Sequence, residues 1–122
     1  PPAPSGAPRR ARVLFNGATV ADSAGALRVL ETSHPPVYYF PPADVNWDAV
    51  AVDGGARGTF CEWKGQARYY RVKVGERAVD AAGWSYETPT ERFAAIKGYV
   101  AFYPGKMDEC WVGEERAKAQ PG

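Results

Sequence analysis

The stretch Ala67-Arg68-Tyr69-Tyr70-Arg71-Val72-Lys73-Val74 decides the fold class. Tyr70, Val72 and Val74 fall on one face of an extended chain, and Tyr69, Arg71 and Lys73 on the other. Side chains of a strand alternate between two faces, so this is the pattern of a β-strand with one buried and one wet side. The same period of two recurs on either side of it. Val13 and Phe15, then Val20, flank Asn16-Gly17, a dipeptide whose tolerance of positive φ suits a primed hairpin turn. Further strands are expected at Leu27 to Glu31, Val37 to Phe40, Val50 to Val52, Gly58 to Trp63, Arg77 to Asp80 and Trp84 to Tyr86. Tyr99 to Tyr103 reads as a buried strand and Cys110 to Val112 as a last short one.

One short helix interrupts the pattern. Thr88-Pro89-Thr90-Glu91 offers an N-cap, a proline at the first helical position and an acid at the third, while Gly98 can close the other end. Phe93 and Ile96 should face inward. The expected fold is mainly β with this single short helix. A weak internal duplication is one reading of the likeness between Arg12 to Asp22 and Arg71 to Asp80, each running strand, glycine turn, strand and aspartate. Common hairpin chemistry is the plainer reading.

At 122 residues with 45% apolar content, the chain can enclose one hydrophobic core and is too short for two domains. Residues 1–11, rich in proline and carrying Arg9 and Arg10, read as a flexible arm, 12–112 as a single β-rich domain and 113–122 as a tail. Fifteen basic against fourteen acidic side chains leave a charge of +1, which provides no broad footprint for a polyanion. Nucleic acid is therefore not an expected partner, even though Arg68, Arg71 and Lys73 interleave with Tyr69 and Tyr70. Apolar runs such as Tyr99 to Tyr103 fall far short of the roughly 20 residues that span a membrane. A soluble, cytoplasmic protein is the expectation. Cys61 and Cys110 are too few for a disulfide framework and form no CxxC pair, and with His34 the sole histidine no metal site and no cofactor are expected.

Four segments carry a family resemblance: His34-Pro-Pro-Val-Tyr-Tyr-Phe-Pro-Pro-Ala-Asp-Val45, Cys61-Glu-Trp-Lys-Gly-Gln-Ala-Arg-Tyr-Tyr70, Trp84-Ser-Tyr86, and Gly98-Tyr-Val-Ala-Phe-Tyr103 followed by Met107-Asp108. With Arg12-Val-Leu-Phe-Asn-Gly17 they cover nearly the whole folded unit and resemble the family called domain of unknown function 427. The resemblance implies a compact all-β architecture similar to tent-like folds, in which two antiparallel sheets splay around a cleft, or to a barrel-like arrangement of the same sheets. It implies no reaction. A nucleotidyltransferase-like label sometimes attached to the family finds no matching motif here: there is no Gly-Ser followed by paired aspartates and no phosphate-cradling glycine loop.

Three functional readings follow from the residues. The first is a small-molecule binding module with a cleft lined by Tyr39, Trp63, Trp84 and Tyr86, where Lys64 and His34 fix a polar or anionic group. Its basis is the density of amphipathic rings beside single polar residues. The second is an enzyme with Cys61 as nucleophile or redox centre and Lys64 or His34 as activator, because a nearby cation lowers a thiol pKa. In a straight strand Cys61 and Lys64 face opposite ways, so this version needs a turn at Lys64-Gly65. A buried, inert cysteine is the plainer account. The third is a protein-interaction domain presenting exposed aromatics; the oligomeric state is not legible from the sequence. The carboxylates Asp44, Asp48, Asp80, Glu87 and Asp108 show no spacing that would pair two for acid-base catalysis.

Overall fold

The structure is a computed structural model that describes residues 5–30, 35–55, 60–61 and 64–116, with backbone alone for 5–9 and 60–61. His34 and Trp63, and the side chain of Cys61, lie outside the described residues. The expected architecture is present: two antiparallel sheets and little helix. The first sheet has the order β10-β9-β1-β2-β3, built from β1 (Ser5–Phe15), β2 (Ala18–Val29), β3 (Val37–Tyr39), β9 (Glu109–Val112) and β10 (Glu115–Arg116). The second has the order β4-β6-β7-β8, from β4 (Val50–Val52), β6 (Gly65–Val74), β7 (Arg77–Tyr86) and β8 (Val100–Phe102), with β5 (Phe60–Cys61) also pairing β6. β1 begins inside the stretch whose composition suggested an arm: Arg9 pairs with Ala26, and Ala11 is buried.

The hairpin turns obey their residues. Asn16 and Gly17 both have positive φ, at 48° and 79°, as a type I′ turn requires, and they join β1 to β2. β6 and β7 turn through Gly75 at φ 59°. The two tips are tied together. Asn16 Nδ2 donates to the Val74 carbonyl at 2.9 Å, and Asp108 accepts from the Asn16 backbone N–H at 2.7 Å while receiving both prongs of Arg77 at 2.8 and 3.1 Å.

The two halves of the chain repeat one topology. Each runs hairpin, third strand, a 3-10 turn opened by proline (Pro42–Asp44 and Pro104–Lys106) and a fourth strand. In each, the fourth strand crosses over: β4 follows β3 but pairs with β6, and β9 follows β8 but pairs with β1. The similar segments Arg12 to Asp22 and Arg71 to Asp80 are the corresponding hairpins. The third strands meet where Phe40 and Val100 exchange two backbone hydrogen bonds at 2.8 and 2.9 Å, and the Phe40 and Phe102 rings pack edge to face 6.0 Å apart.

Alternation sends neighbouring rings into two separate cores. Phe15, Phe40, Tyr70, Val72, Val100 and Phe102 fill the larger one. Tyr39, Tyr86, Phe93, Ile96 and Ala101 fill the second, with Tyr69 and Trp84 packed against it. Adjacent tyrosines are thus both used, on opposite faces: Tyr70 in the first core and Tyr69 at the margin of the second.

The expected helix is reduced to 3-10 turns. Glu91–Ile96 is two short turns merged across a kink at Phe93 (φ −110°, ψ 16°), and it begins after Thr90, so Thr88 and Pro89 precede it rather than cap it. Phe93 and Ile96 do face inward and are fully buried, and Gly98 ends the segment at φ 74°. Six residues are too few for an α-helix to hold itself, so burial of those two side chains fixes the segment instead.

Candidate functional site

Of the residues expected to line a cleft, Tyr39, Trp84 and Tyr86 are indeed brought together, but as part of the second core. Tyr39 is fully buried, and its hydroxyl accepts the Trp84 indole N–H at 3.1 Å. The Trp84 and Tyr39 rings pack edge to face at 6.2 Å, and Trp84 lies against Tyr103 at 4.4 Å with a 40° tilt. Lys64 is only 9% exposed, with its Nζ 5.5 Å from the centre of the Tyr86 ring. A cation over an aromatic face is stabilised by the ring quadrupole, which helps to explain an ammonium at such depth.

The concavity near these residues lies along the edge of β6, where pairing passes from β4 to β5. β4 pairs with β6 at Tyr70 to Val72, β5 pairs at Gly65 and Gln66, and the residues between them line a hollow of about 350 Å³. Val52 and Asp53 form one side, Ala67, Arg68 and Tyr69 the wall, and Glu87 and Thr88 the far side. Gly65 sets the spacing of that far side. It has φ 89°, and a Cβ there would stand 2.7 Å from the Thr88 carbonyl oxygen, so only glycine lets the chain after β7 lie this close to the start of β6.

Each charged group in the hollow has a structural reason for its place. Asp53 Oδ1 accepts the Gly55 N–H at 3.1 Å, and Oδ2 accepts the Ala81 N–H at 2.9 Å. Ala81 has φ 48°, an unfavourable conformation for a residue with a Cβ, and Lys106 also holds it by donating to its carbonyl at 3.0 Å. Glu87 Oε2 accepts from Ser85 Oγ at 3.3 Å, and the fully buried Ser85 shares a 2.9 Å hydrogen bond with the Tyr70 hydroxyl. Arg68 Nη1 approaches Glu87 Oε1 at 3.4 Å.

Tyr69 is among the residues that line the hollow, and it packs against the second core opposite Trp84 on β7. Burial first, and then hydrogen bonding with Tyr69, push the Tyr103 phenol up to about 12, so Tyr103 is neutral at physiological pH. Among the described residues, no group of three or more His, Cys, Asp or Glu side chains converges as a metal site would need. No helix of the described residues is long and apolar enough to cross a membrane.

A family model described as domain of unknown function 427 matches residues 5–113. The chain belongs to that family. In this member of the domain of unknown function 427 family, the matched range takes in every described strand except β10 and the whole lining of the β6 hollow. No curated protein matches the sequence.

Sequence reasoning saw Arg68 and Tyr69 as parts of a basic, aromatic strand and counted Glu87 among scattered carboxylates. Asp53 was not singled out. The available signal is the Asp53-Gly54-Gly55 turn directly after a strand.

Proposed function

We propose that this chain is a binding module for a small polar molecule, seated in the hollow at the β6 edge and not among the rings of the second core. The observation that carries the proposal is the composition of that hollow. Arg68 and Glu87, a guanidinium and a carboxylate on the same face of the sheet, share a hollow of about 350 Å³ with the apolar Val52, while Ala67 and Tyr69 line its edge. Small-ligand sites have this form, with apolar walls to exclude water and a few placed polar groups to orient the guest.

Thermal-shift screening against a library of polar metabolites tests it. A ligand at about 100 times its Kd adds roughly 2.7 kcal/mol of stability, which moves the midpoint of a domain this size by several degrees. The expected result is that hits raise the midpoint of the parent chain and lose that effect in Tyr69→Ala and in Arg68→Gln. The second variant changes a half-exposed side chain and should leave the fold intact. Hits that stabilise both variants as strongly as the parent would remove the hollow from the account.

A further inference from the structure

The arginines of this chain differ in how fully their partners occupy them. Arg10 grips Asp22 through Nε at 2.7 Å and Nη2 at 2.9 Å, and Arg77 grips Asp108 through two bonds at 2.8 and 3.1 Å. Arg68, in the hollow, reaches Glu87 through Nη1 alone at 3.4 Å. That distance is beyond the usual 2.7–2.9 Å of a charge-assisted hydrogen bond, and the guanidinium keeps donor capacity to spare. Glu87 is drawn the other way: Oε2 is oriented from beneath by the buried Ser85 hydroxyl, while Oε1 has just the long contact to Arg68. A planar fork and a carboxylate oxygen therefore stand side by side, each able to accept a closer partner.

The charges around them restrict what that partner can be. Among the described residues, the hollow carries one cation, Arg68, against two carboxylates, Glu87 and Asp53. Asp53 already accepts two backbone N–H groups, so it contributes negative potential more than a free ligating atom. A simple carboxylate on Arg68 would be repelled by both acids, and a simple amine on Glu87 would face the guanidinium. A molecule with both charges a few ångströms apart meets each with its opposite.

We infer that the hollow binds a small zwitterion of the α-amino acid class, its carboxylate on the Arg68 fork and its ammonium on Glu87, with its side chain toward Val52. The inference rests on the binding function proposed above and names the ligand class. Exchange of one long ion pair for two short ones, one of them bidentate, is the source of affinity, and the two-point contact is the source of selectivity.

The test titrates the full-length chain with each common α-amino acid in turn and follows the backbone amides of Arg68, Tyr69 and Thr88 by nitrogen-15 NMR. For any amino acid that binds, its N-acetyl derivative and its carboxamide are the decisive comparisons. Each lacks one charge and is expected to bind about tenfold more weakly or worse, as are Arg68→Gln and Glu87→Gln with the parent ligand. Arg10→Gln, which removes an arginine on the other sheet, should leave affinity unchanged. Equal binding of the N-acetyl derivative or of the carboxamide, or full affinity in either hollow variant, overturns the inference. If no amino acid shifts these amides but another polar metabolite does, the ligand class falls and the binding function stands. If no small molecule shifts them, both fall.

Discussion

Cys110 illustrates how a reactive residue type is made inert. It sits on β9 partly buried against the larger core, and burial pushes its thiol up to about 11, with Arg116 pulling weakly the other way. Since the thiolate is the reacting species, a rise from 9.0 to about 11 lowers its fraction near pH 8 by about 100-fold. Iodoacetamide labelling resolved by peptide mass spectrometry should therefore modify Cys110 about 100 times more slowly in the folded chain than in the unfolded one. A native rate equal to that of a free thiol would contradict this. The same shift has a consequence for stability. The folded pKa lies above the unfolded one, so the contribution is complete below the unfolded value of about 9 and is lost as pH rises through about 11. Cys110→Ala should flatten that part of an alkaline denaturation profile.

The elements were legible where local chemistry dictates them and less so where packing does. Asn16-Gly17 announces its hairpin, and Tyr70, Val72 and the wet side chains Arg71 and Lys73 announce β6. The segment after Thr88 carries helix-start signals, yet it forms 3-10 turns, because six residues are too few for an α-helix to sustain itself and burial of Phe93 and Ile96 in the second core holds the segment instead. Gly83 marks a constraint invisible to propensity. A Cβ there would lie 2.7 Å from the Ala101 carbonyl oxygen and 3.0 Å from the Phe102 ring, so β8 could not stay paired at its present distance. Gly83→Ala should destabilise the fold by about 1–3 kcal/mol, the cost of overpacking a filled interior, read as a lower urea midpoint with an unchanged slope. An unchanged midpoint would mean that β7 and β8 are less tightly apposed than described.

At the scale of the whole molecule, two features lie beyond any local reading. One is the reciprocal crossing of β4 and β9, which pairs each half's last strand with the other half's hairpin. A hydrophobic repeat reports which residues share a face, but not which distant strand lies alongside. The other is that the second sheet is buried on both faces near its β8 side. Tyr39 and Tyr86 sit in the second core with Trp84 partly buried against it, and the hollow lies beside them at the β6 edge. Tyr69 lies between the two, lining the hollow and packed against the second core.

The claim on which this account turns is that the β6 edge, and not the ring cluster, receives the ligand. A crystal structure of the full chain grown with the strongest thermal-shift hit would test it most directly. The account predicts density against Arg68 and Glu87, between Val52 and Thr88, with the Trp84–Tyr39 hydrogen bond intact. Density wedged between Trp84 and Tyr39, or on a surface remote from β6, would contradict it.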